Sequence, residues 1–125
     1  MKVSVSIDVP DLGRATSFYV DALGCSKLRD QGDSMVVLSG GNIDIYLIER
    51  EEATNPAAEA SSNLSRTYSR HWTPVHLDFL VDDVNAAVQS ILSAGGNQES
   101  GETGSWGAIA HCADPFGNGF CVIKE

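Results

Sequence analysis

Two short stretches of the chain alternate apolar with polar residues and then meet an acid. In the first, Val3, Val5, Ile7 and Val9 form one face, with Ser4, Ser6 and Asp8 opposite; in the second, Val75, Leu77, Phe79 and Val81 face away from His76, Asp78 and Leu80. A period of two predicts a strand with one greasy face in each case. VSVSIDVPDL (3–12) and VHLDFLVDDV (75–84) align without gaps at an offset of 72 residues. The chain is therefore read as an internal duplication.

A helix is predicted after each strand. Asp11 and Asp83 stand where an N-cap carboxylate can accept from the first-turn amides. Leu12, Ala15, Phe18, Tyr19 and Ala22 then recur at helical spacing, as do Val84, Ala87, Val88, Ile91 and Leu92. Gly24 and Gly96, again 72 apart, are the expected left-handed C-caps. Short strands follow near 27–29, 35–38 and 43–48, and near 98–100, 108–112 and 120–123, separated by the turns DQGDS, SGGN and DPFGNG.

Each half reads β-α-β-β-β, module one over 1–50 and module two over 72–125. Residues 51–71 form a polar connecting loop with a helical turn near Pro56 to Ala60. A half of this size buries too little apolar surface to stand alone, so 1–125 is expected to be a single domain. The class is α+β: a curved mixed sheet forming a cup, with both helices on its outer face and the polar strand faces lining the cleft.

Composition narrows the function. The 125 residues are 42% apolar and 20% charged, which fits one folded domain and excludes global disorder. Eight Lys and Arg against seventeen Asp and Glu leave a net charge of −9, and module two alone carries −6. Such a chain is a poor partner for nucleic acid or anionic lipid; its acids read either as a means of solubility or as a field that attracts a cationic ligand. No apolar run is long enough to span a membrane and no secretory leader is recognisable, so a cytoplasmic protein is expected. Cys25, Cys112 and Cys121 are an odd set without a CxxC pair, which indicates neither a disulfide framework nor a zinc ribbon.

The motifs on this frame are DLGRATSFYVDALG (11–24), DFLVDDVNAAVQSILSAGG (78–96) and DPFGNGF (114–120), with Trp106 and Gly107 ahead of the last. Together, in this order and over nearly the whole chain, they resemble the vicinal oxygen chelate superfamily, which includes glyoxalase I, ring-cleaving dioxygenases, and fosfomycin- and bleomycin-resistance proteins. The Trp-Gly and DPFGN elements look most like the bleomycin-resistance branch. The resemblance implies a paired β-α-β-β-β cup, commonly a homodimer. In metal-using members, the first and last strands of each module supply one ligand each. Those slots correspond here to Ser4, Asp44 (or, with a register change, Tyr46), His76 and Cys121, of which only His76 is the usual residue type.

Two functions from different classes follow. The first is a metal-free binder of a small organic ligand, antibiotic-like and aromatic or cationic, in an acidic cleft lined by Ser4, Ser6, Asp44, Tyr46, His76, Cys121 and Trp106. No cofactor is expected in this reading, and Trp72 and Trp106 supply aromatic faces for stacking and cation–π contact. The alternative is a lyase, isomerase or dioxygenase. It would use either a reduced divalent-metal site at His76, Asp44 and Cys121, or His76 and Asp78 as an acid–base pair, Asp78 fixing the imidazole tautomer two residues along the same face. An imidazole beside Cys121 would also be the arrangement that activates a thiolate. His71 reads as a loop residue, and the facing of His111 is open.

Overall fold

The computed structural model describes residues 1–56 and 63–125. Its elements run β1 (Ser4–Val9), α1 (Leu12–Leu23), β2 (Ser26–Asp30), β3 (Met35–Ser39), β4 (Asp44–Glu49), β5 (Leu77–Val81), α2 (Val84–Ser93), β6 (Asn97–Gly104), β7 (Gly107–Ala113) and β8 (Gly119–Lys124). The duplicated β-α-β-β-β order is present. The helical turn expected near Pro56 to Ala60 falls largely outside the described residues.

Each module builds its own four-stranded mixed sheet, ordered β1-β4-β3-β2 and β5-β8-β7-β6. The first strand pairs in parallel with the last, and the other pairs are antiparallel. The cup is thus two separate sheets brought together by packing. Val9, Val36, Leu38, Ile45 and Leu47 from module one join Ala110, Cys112, Phe120 and Val122 from module two in one core. The helices lie against each other and each covers its own sheet.

Local chemistry explains the element ends. Asp11 Oδ1 accepts from Arg14 N at 2.9 Å, and Asp83 Oδ1 accepts from Ala86 N at 3.0 Å, so both predicted caps are made. Gly24 closes α1 in the left-handed region at φ 68°. The second helix differs from the expectation. Its left-handed glycine is Gly95, at φ 95°, while Gly96 is buried and serves close packing: a Cβ there would lie 2.8 Å from Ala113 O, Ile91 Cγ2 and Phe18 Cε2. The predicted strand starts also shift, since Val3 and Val75 are exposed and precede their strands. Leu92, expected on the buried face of α2, is exposed.

Two contacts tie the modules together where the site lies. Tyr19 of α1 donates to the buried carboxylate of Asp114, and Asn118 Nδ2 donates to Asp8 O of β1 at 3.3 Å. The connecting loop is pinned over module one. Ala53 and Thr54 bond the backbone of Arg66, and Arg66 Nε donates to Asp8 Oδ2 at 2.7 Å.

Candidate functional site

β5, β8 and β7 lie side by side, and their register sets Asp78 opposite Cys121 and Cys121 opposite His111. Three polar side chains thereby form a row across the concave face of module two, with His76 two residues before Asp78 on the same side. His76 Nδ1 is 3.0 Å from Asp78 Oδ1. Cys121 Sγ lies 3.3 Å from His111 Nδ1 and 3.9 Å from His76 Nδ1. Cys121 itself is 5% exposed, whereas the His76 and Asp78 side chains are exposed.

His76, His111 and Cys121 floor a cleft of about 390 Å³ whose walls include Arg70, Trp72, Glu99 and Ser100; Asp78 lies outside this lining, in a hollow with Leu77, Phe79 and Leu80. Arg70 forks onto Glu99, donating from Nε and, at 3.2 Å, from Nη2, and its Nη1 donates to His71 O. The guanidinium sits against Gly119, where a Cβ would come within 2.6 Å of Nη2. A second cleft, of about 380 Å³, opens between β1 and residues 71–76; Ser6, Asp8, His71, His76 and Asn118 line it. His76 is shared by both.

Burial pushes the Cys121 thiol above its ordinary value. Asp78 adds to the rise by charge and by hydrogen bond, Arg70 offsets it, and Glu99 adds to it. A thiol held protonated in this way does not support the thiolate-nucleophile reading. The acids of module two do not gather in the cleft either. Glu99 lies there with Arg70, while Asp78 lines a separate hollow, Asp82, Asp83 and Glu102 line another beside α2, and Asp114 is buried in the core. The module-two cleft is therefore not the acidic one expected: its lining holds one acid, Glu99, paired with Arg70.

On the concave face of module one the parallel register pairs Ser4 with Asp44 and Ser6 with Tyr46. Asp44 and Tyr46 thus share a face, and no register change is needed to turn Tyr46 inward. Since Ser6 is the counterpart of Asp78, the counterpart of Cys121 in the duplication is Tyr46. Its hydroxyl is 3.4 Å from Arg29 Nη2. Trp106 stands exposed between β6 and β7, packed under Gly104 and outside both clefts; Trp72 lines the module-two cleft instead.

The slot residues implied by the resemblance do not assemble into a four-ligand metal site. Among the described residues, the one group of three or more His, Cys, Asp and Glu donors is His76, Asp78 and Cys121, all within 4.8 Å of one another. Asp44 is outside it, and Ser4 offers only a neutral hydroxyl. A divalent ion held between the two modules of this chain does not fit these residues.

His111, Arg70 and Glu99 were not singled out by sequence reasoning. His111 was legible in one respect: the DPFGNG turn is centred on Phe116, and counting outward pairs Ala113 with Gly119 and then His111 with Cys121. Arg70 and Glu99 carried no such signal, because a loop residue meets a bulged strand 29 positions away.

Known proteins match over the whole fold. A family model described as "Glyoxalase-like domain" matches residues 4–123. The hypothetical protein SA1046 from S. aureus is 23% identical, with 100% of this chain and 94% of that chain covered at a TM-score of 0.75. The fosfomycin resistance protein FosX from Mesorhizobium loti is 14% identical, covering 100% and 92% at 0.71. A glyoxalase/bleomycin resistance protein from Streptomyces sp. CB03234 is 21% identical, covering 98% and 99% at 0.66. No curated protein matches the sequence. No described helix is long and apolar enough to cross a membrane.

Proposed function

The chain belongs to the glyoxalase-like domain family, and from that premise we propose that it binds a small organic ligand in the module-two cleft, with His76 as the central polar anchor. The observation that carries this reading is the concentration of convergent polar groups, His76, His111, Arg70 and Glu99, beside the exposed face of Trp72 in one concavity of ligand size. With both charge signs in its wall, the cleft suits a polar, aromatic-bearing compound more than a simple cation. An antibiotic-like molecule is consistent with the names of the fosfomycin- and bleomycin-resistance neighbours.

Calorimetric titration with bleomycin, fosfomycin and a panel of aromatic metabolites tests the proposal. Saturable heat, accompanied by quenching of tryptophan fluorescence that is lost in Trp72→Phe and kept in Trp106→Phe, supports it. Heat absent throughout, or quenching that follows Trp106, defeats it.

One observation favours a second, enzymatic reading. The 3.0 Å contact between Asp78 and His76 fixes the imidazole, as a general base requires. Turnover of any panel compound that His76→Ala abolishes and Asp78→Asn diminishes would establish it. We also propose a homodimer. The support is that Val3, Val75 and Leu80, on or just before the edge strands β1 and β5, are apolar and exposed. Light scattering that gives the monomer mass at all concentrations would refute it.

A further inference from the structure

We propose that the ligand held by module two is amphipathic, and that the second cleft, between β1 and residues 71–76, takes its apolar part, an acyl chain or a similar hydrocarbon group. This deepens the organic-ligand reading of the module-two cleft and rests on it. The two clefts form one continuous space: Thr73, His76, Gly119 and Phe120 line both, so a molecule lying on His76 extends into each.

The second cleft exists because β1 and β5 are edges of two separate sheets that do not pair with each other, and the gap reaches inward as far as Tyr19. Its walls carry Val5, Ile7, Val75, Leu77 and Phe120. Val5, Ile7 and Leu77 bury only part of their side chains against the core, which leaves apolar surface along the gap. The polar groups of the same walls are engaged with other parts of the protein. Asp8 Oδ2 accepts from Arg66 Nε at 2.7 Å, and Tyr19 donates to Asp114 at 2.9 Å. Asn118 Nδ2 donates to Asp114 Oδ2 at 2.8 Å and to Asp8 O at 3.3 Å, and His71 Nδ1 lies 2.8 Å from Ser69 O. Ser6 adds only a neutral hydroxyl.

These walls set the chemistry of the occupant. A charged group placed here would give up its water without finding a free partner of opposite sign, whereas a hydrocarbon removes apolar wall from water and is stabilised by doing so. The module-two cleft is opposite in kind, with two imidazoles and the Arg70–Glu99 pair in its lining. A polar, ring-bearing head on Arg70, His111 and Trp72, joined past His76 to a hydrocarbon tail, is the ligand that suits both.

The probes are N-acyl derivatives of 4-nitrophenylalanine with acetyl, butyryl, hexanoyl and octanoyl chains. The head is constant, its nitrophenyl ring quenches tryptophan, and only the hydrocarbon varies. Titrations use the full-length chain carrying Trp106→Phe, in which Trp72 is the sole tryptophan. Every probe is expected to quench Trp72, and affinity should rise about fourfold for each added methylene, as burial of a methylene at about 0.8 kcal/mol dictates, until the second cleft is full. Val75 is exposed and lines the second cleft only. Val75→Asn should therefore weaken the octanoyl probe several-fold and leave the acetyl probe unchanged. An octanoyl probe with a diazirine at the chain end should label β1 or residues 71–77. Quenching by every probe at one common affinity overturns the amphipathic assignment and leaves the module-two reading standing. Tightening with chain length that is undiminished in Val75→Asn, or a label confined to other segments, also overturns it. Quenching absent with every probe overturns the module-two reading and the amphipathic assignment with it.

Discussion

Tyr19 donates its hydroxyl to Asp114 across the module boundary, at 2.9 Å and with both residues 1% exposed. The same carboxylate accepts from the backbone of Phe116 and Asn118 and from Asn118 Nδ2. A buried charge is tolerated only when its lone pairs are filled, and here one of the donors comes from the other module. Burial, together with the Asp114 charge and hydrogen bond, holds the Tyr19 hydroxyl protonated well above its usual range. Tyr19→Phe keeps the ring and removes the donor. It is expected to cost about 1–3 kcal/mol in urea unfolding, with the aromatic packing against Phe18 retained. A variant as stable as the parent would show that the bond does not join the modules.

The two glycines after α2 carry different burdens, and their alanine variants should fail for different reasons. Gly95→Ala forces a side chain into the left-handed region at φ 95°, where nothing lies closer than 3.8 Å, so the cost is conformational and about 1–2 kcal/mol. Gly96→Ala meets three atoms at 2.8 Å, one of them a backbone carbonyl. Overpacking against backbone cannot be relieved by rotating a side chain, and a loss of about 2–3 kcal/mol or failure to fold is expected. Denaturation midpoints that rank Gly95→Ala below Gly96→Ala would reverse this assignment.

Those glycines also mark where the sequence stops being sufficient. The offset of 72 located both strands, both helices and both aspartate caps, because each depends on a few neighbouring residues. It misplaced the left-handed glycine after α2 by one position, since Gly95 and Gly96 are equivalent until Phe18 and Ala113 arrive from elsewhere in the fold. The site divides along the same line. His76 and Asp78 share a face by strand period alone, and Cys121 follows from the resemblance. His111 needs the hairpin register, and the Arg70–Glu99 pair needs a loop whose course no local pattern sets. The acidic cleft was misjudged because net charge per module says nothing about which side of a sheet an acid faces.

Alkaline pH should loosen the core through its thiols. Burial pushes Cys25 and Cys112 each to about 11, with Cys121 and Glu99 adding to the rise at Cys112. In the unfolded chain these thiols ionise near the ordinary value of 9.0. Between the two values the folded state keeps protons that the unfolded state has lost, so stability is full below about pH 9 and falls as pH rises. Two pH units correspond to at most about 2.7 kcal/mol for each thiol. Urea midpoints measured from about pH 8 to about pH 10, below most tyrosine ionisation, should decline, and Cys112→Ala should flatten the decline whatever its cavity costs at neutral pH. A profile that is flat in the parent chain would place the thiols in contact with solvent.

Gly117 and Gly119 both approach Arg70 and should respond to alanine by different amounts. At Gly117 the backbone is left-handed, at φ 89°, and a Cβ would lie 2.8 Å from Arg70 N and 3.0 Å from Ser69 C. Neither the dihedral nor the backbone neighbour can give, so Gly117→Ala is expected to lose about 2–3 kcal/mol. At Gly119 the obstacle is the Arg70 guanidinium, the far end of a flexible side chain whose partner Glu99 is itself partly exposed. The guanidinium can swing away, and an ion pair this open to water is worth no more than about 1 kcal/mol. Gly119→Ala should therefore unfold within about 1 kcal/mol of the parent chain and of Arg70→Ala, and adding Gly119→Ala to Arg70→Ala should cost nothing further. A Gly119→Ala penalty that persists in the absence of Arg70 would mean that the glycine is required by the β7–β8 turn and not by the seat of the guanidinium.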